Sequence, residues 1–169
     1  FSSINSNIVD RFNVYKGFVP VGFGGRLSSV FEVETRAGNK SNFYSEGSLS
    51  PISANVIVEM PIVKDKASLM VSTRSSYSNW ILKRLEEPEL RNSRASFYDF
   101  TVNFDYQLSD NSNISILGYN SNDDFNLNTL VEYDYGNLGG VLKYSNRIAP
   151  KLKTDVYLIH SNYNFATAN

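Results

Sequence analysis

The stretch YDFTVNFDYQL, residues 98–108, decides the fold. Tyr98, Phe100, Val102, Phe104, Tyr106 and Leu108 fall on one face, and Asp99, Thr101, Asn103, Asp105 and Gln107 on the other. Such strict period-two alternation is the signature of a β-strand with two unlike faces. Its length suits the ~9–11 residues that a tilted strand needs to cross a bilayer. Strands of soluble sheets run nearer to about 5–6 residues. The apolar face carries tyrosines toward both ends and phenylalanines between them, the order expected where aromatic girdles border an apolar band.

Outward from this strand the same grammar repeats. Residues 42–50, 54–62 and 67–77 precede it as strands, and residues 114–120, 138–148 and 153–165 follow, which makes seven. Short turns fall at 63–66, 109–113 and 149–151, while 78–95 and 121–137 are long polar connections. Short turns at one end and long loops at the other are the asymmetry of a transmembrane barrel. A recurrence of roughly 40–45 residues is also the period of a propeller blade, but a blade holds four short strands and a signature that recurs. Here each unit has two long strands and no recurring signature. The expected fold is all-β, an antiparallel transmembrane barrel in part.

Composition agrees with that class. The chain has 169 residues, a net charge of −1 and no cysteine, so it is neither a disulfide scaffold nor a thiolate metal site, and its charge draws it to no nucleic acid. One histidine, His160, is too few for a histidine metal cluster or a serine–histidine triad. Mean hydropathy is −0.29, and no apolar run approaches the ~20 residues of a spanning helix. Alternating barrel strands average out as polar, so a barrel remains open. Tyr and Phe number 11 each, a strand-favouring profile. No secretory signal stands near Phe1, so an exported protein would carry its signal outside this chain.

Residues 1–38 read differently. A strand is expected over 7–15, a turn at Gly17 and Pro20, a tight backbone at Gly22, Gly24 and Gly25, and a second strand over 30–35. Tyr15-Lys16-Gly17, then Gly24-Gly25-Arg26-Leu27-Ser28-Ser29-Val30, then residues 32–35 resemble the end of the plug domain of TonB-dependent outer-membrane receptors. The type they look like often carries a carboxypeptidase-like regulatory domain before the plug. Residues 1–6 are similar to the preceding plug segment, 61–66 to the first periplasmic turn and 74–77 to the end of the third strand.

The resemblance implies the end of a plug over 1–38 and the first barrel strands over 39–169. It also implies location in the bacterial outer membrane and uptake of a siderophore, glycan or peptide. The partners it implies are outer-membrane lipid, a TonB-type energising complex acting through an upstream segment, a small nutrient ligand and, in some assemblies, a surface lipoprotein. Two other classes stand beside it. One is a scaffold barrel in a larger outer-membrane assembly with a lipoprotein or secretion partner. The other is a soluble β-sandwich binding module.

No constellation points to catalysis, a cofactor or a metal. Gly22-Phe23-Gly24-Gly25 lacks the Lys-Ser/Thr and the strand-to-helix setting of a phosphate loop. The carboxylates Glu86/Glu87, Asp99/Asp105 and Asp123/Asp124 read as solvated or inward-facing acids. For the plug hairpin the residues singled out are Tyr15, Lys16, Gly17, Gly24, Gly25 and Arg26. Arg26 is the candidate for a charge-assisted hold between plug and wall, with Glu59 its expected partner because Glu59 alternates against Val56, Val58 and Met60. Arg74 is expected to face inward, since an arginine on the lipid side costs ~2–4 kcal/mol at the midplane. Trp80 heads a stretch, 80–90, expected to form a short amphipathic helix ahead of Pro88. Trp80, Asp123, Asp124, Tyr133 and Tyr135 are the loop candidates for contact with a ligand or partner, because aromatic and acidic or amide side chains suit sugars and peptides.

Overall fold

The computed structural model describes residues 4–23, 29–127 and 131–168. Residues 4–36 and 37–168 form separate compact units, both built of antiparallel strands.

In the smaller unit a single 3-10 turn, Ser6–Ile8, leads into β1 (Val9–Tyr15), which pairs with β2 (Val30–Thr35). Asn5 starts the turn by accepting the Asn7 amide, and both Asn5 and Ile8 are buried. The ladder sets Tyr15 opposite Val30 and Phe12 opposite Val33, and the Phe12 and Phe31 rings stack with centroids 6.0 Å apart. Glu32 gathers two donors on one oxygen: Asn13 Nδ2 at 2.9 Å and the Tyr15 hydroxyl at 3.0 Å.

The larger unit is one seven-stranded sheet in sequence order. Its strands are β3 (Tyr44–Leu49), β4 (Ser53–Val63), β5 (Ala67–Ser76), β6 (Arg94–Ser109), β7 (Ser112–Leu127), β8 (Val131–Ala149) and β9 (Leu152–Ala168). Two one-turn helices, α1 (Asn79–Leu82) and α2 (Pro88–Arg91), lie in the β5–β6 connection. The β4–β5 turn closes through Asp65 at φ 60°, a left-handed conformation that Asp tolerates better than most side chains. Among the described residues, the outer strands β3 and β9 pair on one side only.

In this sheet the more polar face is the more buried one. On β6, Asp99 and Thr101 are 1% exposed, while Tyr98 and Phe100 on the other face are 47% and 43% exposed. The buried face continues through Asn55, Ile57 and Glu59 of β4, Ser68, Met70 and Ser72 of β5, and Ser121 of β7. On the opposite face the register aligns Met60, Leu69, Phe104, Ile116, Leu142 and Leu158 in one apolar row across six strands. These are called the polar and the apolar face below.

All seven expected strands are present, and the all-β antiparallel class holds. Two local expectations change. Residues 121–137 were expected as a long connection, yet most of them extend β7 and β8. Beyond the apolar row both faces carry amide, acidic or aromatic side chains, so hydropathy loses its period while the backbone ladder runs on. The expected helix over 80–90 is two separate single turns. Pro88 has no amide to donate and sits at the start of α2, where that amide is not needed.

Candidate functional site

At the end of the sheet nearest the β5–β6 and β7–β8 connections, the polar face brings its chemistry together. Two adjacent rows make the site. The register sets Arg74, Asp99, Ser121, Asn137 and Tyr163 in one, and Phe97, Asp123, Tyr135 and Phe165 in the next. Period two keeps all nine on the same face, because every neighbour along a strand lies two residues away.

Arg74 and Asp99 anchor the first row. The Arg74 Nε and Nη2 atoms lie 2.7 and 2.6 Å from one oxygen of Asp99, with both side chains well shielded from solvent. The other oxygen, Oδ1, is buried and meets no hydrogen-bond partner among the described residues, as do the Ser68 and Thr101 hydroxyls. The Arg74 guanidinium also lies over the Phe97 ring, 4.9 Å from its centroid. Asn137 Nδ2 donates to Ser121 Oγ at 3.3 Å, which ties β7 to β8 beside the ion pair.

In the second row the rings dominate. Tyr133 stacks on Tyr135 and on Phe165, and Tyr135 lies tilted against Phe165, with centroids 5.0–6.3 Å apart. At the same end of the sheet lies a cavity of about 210 Å³, lined among others by Ile52, Phe97, Asp123, Asp124 and Phe125. The connection is fixed from its ends. Ser78 Oγ donates to the Ala95 carbonyl at 2.6 Å, and Asn79 Oδ1 accepts the Ala95 amide at 3.0 Å. The Tyr77 hydroxyl donates to the Ser50 and Ser53 carbonyls.

At the opposite end a strap of residues 37–42 crosses the polar face. Glu59 Oε2 accepts the Asn39 amide at 2.8 Å, Lys40 pairs with Asp105, and Ser41 Oγ donates to Asp65 at 2.7 Å. The Asp65 amide returns a bond to the Lys40 carbonyl at 2.8 Å. Gly38 packs closely there. A Cβ on it would sit 3.2 Å from the Leu69 carbonyl carbon and oxygen.

The residues singled out from sequence sort accordingly. Arg74 lies on the face with Glu59 and Asp99, as its alternation required. Glu59 holds the strap through Asn39, while Gly24, Gly25 and Arg26 lie outside the described residues, so the Arg26–Glu59 pairing stays an expectation. Tyr15 engages Glu32, Lys16 is exposed, and Gly17 takes φ +77°. Asp123, Tyr133 and Tyr135 share the site. Asp124 falls on the opposite face in register with Asp134, and Trp80 donates to the Pro51 carbonyl at 3.1 Å. Phe97, Phe125 and Phe165 were missed; their two-residue spacing to Asp99, Asp123 and Tyr163 is the signal that marks the shared face. Lys40 as the partner of Asp105 was also missed, because the two are far apart in sequence. No family model, no curated protein and no solved structure matches the chain.

Proposed function

We propose that the chain is the end of a plug and the first seven wall strands of a TonB-dependent transporter, which takes up a scarce nutrient across the bacterial outer membrane. The observation that carries this reading is the inverted sheet: aromatic and aliphatic side chains outward, carboxylates and hydroxyls buried. In water that arrangement loses ~25 cal/mol for every Å² of apolar surface left exposed. In a bilayer the same apolar surface meets lipid and the polar face meets an aqueous or protein-filled interior. A soluble β-sandwich would need the opposite arrangement, with its apolar faces packed on each other. The plug assignment rests on the resemblance of residues 15–35 to plug ends.

In this reading the polar face is the inner wall. The Arg74–Asp99 pair and the strap from 37 to 42 give charge-assisted contacts inside the wall, the kind that hold firmly when dry and exchange for water when exposed. The stacked rings and cavity at the loop end face the side from which a ligand arrives.

Register provides the test. The chain has no cysteine, so once any cysteines elsewhere in the polypeptide are replaced, Asn103→Cys and Phe104→Cys each give a single labelling site. With the full polypeptide in liposomes, a lipid-borne quencher should reach a label at 104 and spare one at 103. A water-soluble quencher reaching 104 more readily than 103 would overturn the membrane reading.

A further inference from the structure

The loop-end cavity is built for a particular charge. The charged residues among those lining it, Asp123 and Asp124, are both acidic, while Phe97 and Phe125 supply aromatic walls. Nearby, the Arg74 guanidinium on the Phe97 ring is already bonded to Asp99. Arg74, Asp99 and Asp123 therefore leave one net negative charge on this part of the polar face. An aromatic ring attracts a cation through its negatively charged face, and Phe97 already holds one in this way. The volume of about 210 Å³ exceeds the ~150 Å³ cavity that admits benzene.

We propose that this cavity binds a small organic cation, an alkyl- or arylammonium group, with Asp123 as counter-ion and the Phe97 and Phe125 rings around its apolar body. Among the lining hydroxyls, Ser78 Oγ donates to the Ala95 carbonyl and Ser76 Oγ accepts the Phe97 amide. The site rests on the transporter reading for its place on the ligand-facing side, and not for its chemistry.

Trp80 is the natural reporter. It is the single tryptophan and is bonded to Pro51, the residue before the cavity-lining Ile52. The full chain in detergent would be titrated with benzylammonium, benzyl alcohol and phenylacetate while Trp80 fluorescence and heat of binding are followed. Benzylammonium should bind about tenfold more tightly than benzyl alcohol, the equivalent of about 1.4 kcal/mol, with phenylacetate weakest. Asp123→Asn should remove that preference, and Asp124→Asn should reduce it less. Equal binding of the ammonium and the alcohol would reveal a plain apolar pocket and overturn the proposal; so would no binding by either. The comparison among ligands needs no variant, so a misfolded Asp123→Asn protein would not block it. Quenching that places residue 104 in lipid, together with absent ammonium binding, would sink this site and leave the transporter reading standing.

Discussion

At the residue scale, the buried Arg74–Asp99 pair is the contact on which most depends. Removing one partner strands a charge away from water, at a typical cost of ~3–5 kcal/mol, whereas replacing both by apolar side chains is often neutral. Arg74→Ala should therefore lower the unfolding midpoint in urea far more than an Arg74→Met/Asp99→Leu double variant. Equal losses would mean that the pair is not insulated. Tyr15 offers a titration. Its hydroxyl donates to Glu32, and this bond, with some burial and the Glu32 and Glu34 charges, holds the phenol above its ordinary 10.0. The raised value favours the neutral folded form, so its contribution to stability is complete below the unfolded value and fades as pH rises through the folded one. The ultraviolet difference between wild type and Tyr15→Phe should report a phenol titrating above 10.0, and Glu32→Gln should bring it down. These residue types could be read in the sequence as candidates. Their partners could not, since Tyr15 and Glu32 meet only through a ladder.

At the element scale, the strap over 37–42 and the helical connection fix the two ends of the sheet. Gly38 lies against Leu69 backbone, so Gly38→Val should lift the strap and weaken the Lys40–Asp105 pair. Trypsin should then cut after Lys40 well before it does in the wild type. An unchanged cleavage pattern would show that the strap tolerates a side chain. Strand existence and turn polarity were legible here because alternation survives wherever one face is apolar, as from Tyr98 to Tyr106. The outer halves of β7 and β8 were not legible. Asn120, Asn122 and Asp124 on one face, with Asp123 and Phe125 on the other, carry no contrast of hydropathy to betray a strand, although backbone pairing continues to Leu127. Trp80 likewise joined the ligand candidates on residue type, whereas its indole is bonded to Pro51 and braces the connection.

At the scale of the whole molecule, the open sheet is the dominant fact. Among the described residues β3 and β9 each present one unpaired edge, and in hydrocarbon every unmatched backbone group costs several kcal/mol. The 169-residue chain expressed by itself should therefore form higher oligomers or require detergent, and sedimentation without detergent should show no stable monomer. A monodisperse monomer in plain buffer would contradict the inverted-sheet argument. The sequence by itself determined the class, the seven strands and the two unlike faces, because a period of two is a local property of each strand. Tertiary structure alone decided which face is buried, which carboxylate meets which cation and which rings gather around the cavity. Burial and pairing depend on register between strands, and register is set by neighbours that lie far away along the chain.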